Sequence, residues 1–368
     1  MPDSYHNDPR TVMTLDAGGT YLKFSAIRGN KPAAEPVTLP SMGSDLAACL
    51  GQVVAGFDEI KRRLPAAPAA ISFAFPGPAD YPAGIIGDLP NLPAFRGGVA
   101  LGPMLEEKFK LPVFINNDGD LFAYGEAMAG FLPYVNEHLE KAGSLKRYKN
   151  LLGITLGTGF GGGIVREGRL FAGDNSAAGE AWLLRNKLDP ALNVEEGASI
   201  RAVRRVYAQL TGIEAAQAPE PKAIFEIGAG AAPGDQAAAK EAFRRLGETA
   251  GDAIAQALTL VDGLAVIGGG VSGAHQLFLP ALVAAVNDVY HKPGGDLRRL
   301  VPRAFNYEDA AQREQFLKGD RRVVTVPGSS RKIEYDPQPR TAIGVSRLGT
   351  SEAVAIGAYS FALSRIKK

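Results

Sequence analysis

Between residues 21 and 27, apolar and polar positions alternate: Leu22, Phe24 and Ala26 fall on one side, Tyr21, Lys23 and Ser25 on the other. A period of two is that of a half-buried strand. An apolar run at 12–15 makes a second strand just before it, and Asp16, Ala17, Gly18, Gly19 and Thr20 form the turn between them. Residues 44–64 (SDLAACLGQVVAGFDEIKRRL) have helical spacing with Ser44 placed as N-cap. AAISFAFPG (69–77) is a buried strand running into a loop, and 101–110 is helical. PVFIN (112–116) is a strand that stops at Asn116, after which GDLFAYGEAMAGF resumes as a helix.

The pattern then repeats. Residues 13–20 read MTLDAGGT and residues 154–161 read ITLGTGFG, each a strand, a Thr-Leu pair and a glycine-rich turn leading to another strand. Two such units suggest two related halves. A third glycine cluster, LAVIGGGVSGAHQLFLPAL (264–282), passes instead from a strand into a helix, with Ser272 expected as its N-cap. Residues 133–150 read as a Lys- and Glu-rich insertion, and 296–340 are rich in Arg and Pro with little periodicity. The chain closes with TSEAVAIGAYSFALSRIKK, expected to be a capped amphipathic helix with basic residues in its last turn, where the helix dipole favours them.

Composition narrows the classes. The 368 residues suffice for two domains with substantial cores, and 46% apolar with 21% charged residues is ordinary for a globular protein. A net charge of +1 sets up no global field for nucleic acid or an anionic membrane. The single cysteine, Cys49, excludes a disulfide framework and a cysteine-rich metal cluster. No apolar run approaches the roughly 20 residues that span a bilayer, so a cytoplasmic protein without nucleic-acid or membrane partners is expected. The 44 glycines are clustered, which marks demanding backbone geometry.

Those clusters carry the candidate chemistry. Amides of Gly18 and Gly19, with the Thr20 hydroxyl, can converge on phosphate oxygens, and Asp16 can hold a hydrated Mg²⁺ beside them. A hairpin turn capped by an Asp is the other reading of the same residues. No Walker A Lys follows, and the next element is a strand, which excludes a dinucleotide fingerprint. The second turn, LGTGFGGG (156–163), is denser in glycine than a simple reversal needs and offers the Thr158 hydroxyl. The pair of turns suits a nucleotide tail better than two bare hairpins. Asn117 and Asp118 follow a strand end, a usual address for site residues in α/β proteins, although Asn-Asp is also a common helix-cap pair. Glu180 and Glu195 are further carboxylates beside glycine, and Glu195 with Glu196 also suits the start of a helix running to Leu210. The histidines at 6, 138, 275 and 291 lack metal-ligand spacing, and Trp182 is expected in the core.

LDAGGT, FPGP (75–78), NLPAF (91–95), NND, LGTGFGGG, AGE and IGGG occur in the order seen in the ROK family of sugar kinases, within the sugar kinase/Hsp70/actin superfamily. The chain resembles that family from about residue 12 to 290 and again in the closing helix. The resemblance implies an α/β, two-lobed actin-like ATPase (ribonuclease H-like) fold with a cleft between the lobes. It implies a small lobe from 1–117 plus 353–368 and a large lobe from 118–352, with an insertion near 296–347. It implies an ATP- and Mg²⁺-dependent sugar kinase, expected as a homodimer, with Asp118 as the base that takes a proton from a sugar hydroxyl. Gly77, Asn91, Asn117, Glu180 and Glu195 would contact the sugar, the last matching a family Glu four residues before a Ser, here Ser199. Asp16, Gly18, Gly19 and Thr20 resemble the first phosphate loop; Gly157, Thr158, Gly159 and Gly161 the second; Gly268, Gly269 and Gly270 the adenosine loop. Where members of that family have a histidine this chain has Leu183, and the cysteine-rich zinc motif that follows is missing, so no structural zinc is expected and the pocket near one hydroxyl is altered. A sugar-binding sensor without a DNA-binding domain is the competing expectation.

Overall fold

The computed structural model describes residues 5–18, 20–89, 92 and 94–366. It is an α/β protein of two compact units, the first comprising Met1–Gly130, Gly163–Gly179 and Leu348–Lys368, the second Phe131–Gly162 and Glu180–Arg347. These divisions differ from the expected boundaries: the first falls at 130/131 rather than 117/118, the last at 347/348 rather than 352/353, and the segment at 163–179 has no counterpart in the expectation. No helix among the described residues is long and apolar enough to cross a membrane.

In the first unit the alternating residues form what their period requires. Val12–Ala17 pairs antiparallel with Tyr21–Arg28, which in turn pairs with Lys31–Pro32 and Val37–Pro40. On its other side Val12–Ala17 pairs parallel with Ala70–Ala74, and that strand pairs parallel with Val113–Asn116. One face buries Phe24 and Phe73 against Phe57 of the helix Leu46–Arg63, which in turn meets Phe109 of the helix Leu101–Phe109. The other carries the closing helix Thr350–Arg365, whose Tyr359, Ala362 and Leu363 cover Val12, Ile27 and Ala70. That helix is buried round most of its circumference and begins at Gly349 with no side-chain cap, so it is a core helix rather than the amphipathic, capped one expected.

The second sheet repeats this order. Leu151–Leu156 follows the antiparallel hairpin pattern through Phe160–Arg166 and Arg169–Leu170, and pairs parallel with Leu264–Gly268, which pairs parallel with Arg340–Val345. Three consecutive antiparallel strands followed by parallel ones thus occur twice, as the internal echo at 13–20 and 154–161 suggests. Helix Gln236–Val261 lies against His275–Val286 at very close range: a Cβ at Gly247 or Gly251 would come within 2.3 Å of a carbonyl oxygen of that helix.

Several local expectations are corrected. Asp45, not Ser44, caps the first helix, accepting from the Ala48 N–H at 3.0 Å. The supposed insertion at 133–150 is partly helical: Phe131–Lys141 is a helix that buries Phe131, Leu132, Val135 and Leu139. Within the Arg- and Pro-rich stretch, Arg303–Asn306 is a strand of the second sheet, parallel to Arg340–Val345, and Ala310–Lys318 is a helix. The helix expected from Glu195 divides into the short turn Val194–Glu196 and the helix Ile200–Thr211.

Candidate active site

In the first unit, strand register builds the site. Asp16 lies beside Ala74, and Ala74 beside Asn116, so three neighbouring strands end level with one another. Whatever follows each strand emerges at the same edge: the glycine turn after Ala17, the 75–78 loop after Ala74, and Asn117 with Asp118 after Asn116. Asp16, Ala74, Phe75, Pro76 and Asp118 line one cavity of about 190 Å³, closed by Thr350, Ser351 and Val354 of the closing helix. Both Asp16 and Asp118 are thus among its lining residues.

Helix packing fixes Asp118. It is the first residue of the helix Asp118–Met128, whose residues from Gly119 to Met128 are all buried. A Cβ on Gly125 would lie 1.9 Å from the Ala353 carbonyl oxygen, and one on Gly357 would lie 1.9 Å from that of Leu121. Those two glycines therefore let the Asp118 helix and the closing helix touch backbone to backbone. The helix that presents the candidate base and the helix that presents Ser351 are thereby locked together.

The Asp118 carboxylate has an exposed face, yet enough protein surrounds it to raise its pKa above the usual carboxylate value. Loss of water is the largest cause, the charge of Asp16 adds to it, and the hydrogen bond from the Gly119 N–H opposes both. That N–H is shared, at 2.9 Å from Asp118 Oδ1 and 2.7 Å from Asn117 Oδ1. Asn117 is thus the N-cap of the helix, its side-chain oxygen already engaged. Gly77 precedes Pro78 and sits near Tyr81, whose hydroxyl donates to the Phe75 carbonyl at 3.0 Å; a Cβ at Gly77 would lie 3.1 Å from that hydroxyl. Gly19 and Asn91 lie outside the described residues. Gly18 does not offer its amide to a ligand as expected, because its N–H donates to the Tyr21 carbonyl at 3.0 Å. Thr20 is exposed in the turn.

The second unit assembles its candidates in the same way. Thr155 is level with Gly268 across the parallel pair, so the 157–161 turn and the glycines 269 and 270 leave the sheet at one edge. Gly269 has φ +86°, and a Cβ there would lie 2.2 Å from the Leu156 carbonyl oxygen, so only glycine fits. The Gly157 N–H is engaged by the Gly159 carbonyl at 3.0 Å, and its own carbonyl accepts from Ile200 N at 2.9 Å. Glu195 accepts from Phe160 N at 3.1 Å and from Arg201 at 3.1 Å, and Arg201 also donates to the Thr158 carbonyl at 3.2 Å. Glu195 and Arg201 therefore tie the second glycine turn to the start of helix Ile200–Thr211. A Cβ at Gly159 would lie 2.6 Å from Glu195 Oε2, and one at Gly161 2.4 Å from Thr155 Oγ1. Glu180 accepts from the indole N–H of Trp182, which is half-buried rather than in the core. Leu183 is 62% exposed. The turn holding Glu180 packs on the turn holding Glu195, with Val194 N–H donating to the Leu184 carbonyl at 2.7 Å. Ser272 caps nothing: its hydroxyl donates to the Gly269 carbonyl at 2.7 Å, and the helix begins after Ala274.

Sequence reasoning missed Thr350 and Ser351, whose polarity reads as ordinary helix capping. It also missed Arg201, because its partner Thr158 is 43 positions away in the sequence and only the fold brings the two together.

The model of the ROK family matches residues 12–311. The chain is 31% identical over 188 residues to the N-acetyl-D-glucosamine kinase of Vibrio cholerae, a match covering 50% of this chain and 56% of that protein. It is 30% identical over 247 residues to the enzyme of the same name from Vibrio vulnificus, covering 62% of this chain and 74% of that one. Among solved structures, the glucokinase from Parabacteroides distasonis is 55% identical, with a TM-score of 0.91, over 98% of this chain and 99% of that chain. The match to the first of these curated relatives thus spans little more than half its length. With the doubled sheet order and the ordered glycine turns, the family match over 12–311 establishes that this chain belongs to the ROK family.

Proposed function

We propose that this protein is an ATP-dependent sugar kinase that transfers the γ-phosphate of ATP to a hydroxyl of a hexose or related sugar, with glucose and N-acetylglucosamine the first candidates. One observation carries the reading: Asp16 and Asp118 line a single cavity at the carboxyl ends of three level strands, in a chain of the ROK family. The names of the relatives in Vibrio and Parabacteroides support it.

Asp118 is the general base. It takes the proton of the acceptor hydroxyl as that oxygen bonds to the γ-phosphorus; the bond from phosphorus to the bridging oxygen breaks, and its electrons leave with ADP. A carboxyl with a raised pKa is a stronger base than an ordinary one, which suits the task. Asn117 is left with its amide N–H groups to donate to a sugar oxygen, since its oxygen caps the helix. Gly77, Asn91 and Glu180 complete the sugar contacts, and Glu195 adds an acceptor that Phe160 and Arg201 already orient. Thr20, Thr158, Gly159 and Gly161 serve the phosphates, with Gly157, its N–H held by Gly159, shaping the turn, and Gly268, Gly269 and Gly270 serve the adenosine. Among the described residues no cluster of three or more His, Cys, Asp or Glu forms a metal cage. The donor set at Asp16 nonetheless fits Mg²⁺, which keeps most of its waters and takes one or two carboxylates with substrate oxygens. Bound there, Mg²⁺ neutralises charge on the transferred group.

The test is ADP release across a panel of sugars with ATP and Mg²⁺. Sugar-dependent turnover is expected, falling by about 10²–10⁴-fold in Asp118→Ala. Turnover undiminished in that variant would remove Asp118 as the base; no turnover with any sugar, alongside sugar-induced thermal stabilisation, would favour the sensor.

A further inference from the structure

The row of level residues in the first sheet continues one strand further. Lys23 lies directly across the antiparallel pair from Asp16, Asp16 lies beside Ala74, and Ala74 beside Asn116. Side chains alternate faces along a strand, so Lys23 and Asp16 share the face on which Val12 and Ile27 meet the closing helix. Opposite charges set directly across a strand pair attract one another. Lys23 nonetheless makes no ion pair among the described residues, although Asp16 and Glu352 line the same cavity with it. That cavity, of about 350 Å³, runs down the sheet from Asp16 and Lys23 past Thr14 and Ser25 to Ile27. The cavity of Asp118 extends from Asp16 toward Ala74 instead, and Asp16, Ser351 and Val354 line both. Asp118, Asp16 and Lys23 therefore follow one another across the strand ends, at roughly 5 Å per strand.

We propose that Lys23 binds the leaving side of the triphosphate, an inference that rests on the kinase reading above. The order of the row gives the chain its direction. The γ-phosphate belongs beside Asp118, where the hydroxyl gives up its proton, and the β-phosphate follows past Asp16 toward Lys23. Asp16 by itself repels a polyphosphate, so an unpaired cation directly across from it offsets that repulsion. As the bond from the γ-phosphorus to the bridging oxygen breaks, its electrons stay on that oxygen and negative charge grows on ADP. The Lys23 ammonium stabilises this charge more than that of the ground state, and its three N–H donors reach phosphate oxygens on a flexible stem. Lys23 should thus act on both ATP binding and turnover, and not on the sugar.

Lys23→Met and Lys23→Arg in the full chain test this, at a position exposed enough for both to fold. Lys23→Met should raise KM for ATP roughly tenfold and lower kcat, with KM for the sugar within about twofold of the parent, and Lys23→Arg should recover most of the loss. Melting gives a readout without turnover. Mg²⁺-ADP should stabilise the parent but not Lys23→Met, while a sugar that stabilises the parent should stabilise both. Sugar-dependent turnover with kcat and KM for ATP unchanged in Lys23→Met would overturn the role of Lys23 and leave the kinase reading standing. A parent that turns over no sugar, yet gains a Lys23-dependent stabilisation from Mg²⁺-ADP, would sink the kinase reading and keep the phosphate contact. Equal stabilisation of parent and Lys23→Met by Mg²⁺-ADP would place the phosphates away from Lys23.

Discussion

At the level of single side chains, Asp118 shows how one environment acts in opposite senses on rate and stability. Loss of water, then the Asp16 charge, lifts its carboxyl above the ordinary range. A base works unprotonated, so the acid limb of kcat/KM should lie at higher pH than for an ordinary carboxylate, with the rate falling as pH drops through the raised value. Stability runs the other way. The folded chain binds this proton more tightly than the unfolded chain, so ionised Asp118 lowers stability above its folded pKa, and the penalty fades as pH falls below it. Asp118→Asn should therefore raise Tm at about pH 7 while removing turnover, and the gain should shrink as pH falls through the raised folded value and the parent carboxyl takes up its proton. Parallel melts of the two proteins across that range check it; an equal gain at every pH would deny the desolvated charge.

Elements decide which glycines matter. The three consecutive glycines 268, 269 and 270 look interchangeable in the sequence, but their surroundings differ. Gly269 has positive φ and presses on the Leu156 carbonyl, whereas a Cβ on Gly270 meets nothing within 4 Å. Gly269→Ala should cost about 1–3 kcal/mol in urea unfolding, with higher KM for ATP, while Gly270→Ala stays within about 0.5 kcal/mol of the parent. Similar costs for both would show that the loop is not held as described. Boundaries follow the same logic. The helix Phe131–Lys141 was unreadable because Pro133 falls near its start, where proline is in fact tolerated. The strand Arg303–Asn306 is four residues with a charged and a polar end; pairing with Arg340–Val345, not its own pattern, buries it.

For the molecule as a whole, the buried ion pair of Asp336 and Arg340 stands at the root of the hairpin of the second unit. Burial pushes the Asp336 carboxyl up, but bonds from Arg340 and from the Gln338 and Asp320 N–H groups outweigh it, and its pKa ends below the usual value. A depressed carboxylate contributes stability at neutral pH that is lost as pH falls through its folded value. Arg340→Ala should be destabilising by about 3–5 kcal/mol at neutral pH, since it strands a buried charge, and much less so in acid. Denaturant midpoints at the two pH values measure it; a pH-independent loss would assign Arg340 to packing alone, through its stacking on Phe316.

Local chemistry alone determined a good deal here: the alternation at 21–27, the duplicated strand and glycine turn, the end of a strand at Asn116, and a carboxylate, Asp16, beside the first glycine turn. Periodicity reports which way a side chain faces, and that is a near-neighbour property. Only the tertiary structure decided which polar groups are free. It gave the Gly18 amide to Tyr21, turned Asn117 into a cap, brought Glu195 to Phe160, and set Asp16 and Asp118 in one cavity. Hydrogen-bond partners and desolvation depend on groups far along the chain, so no local pattern encodes them.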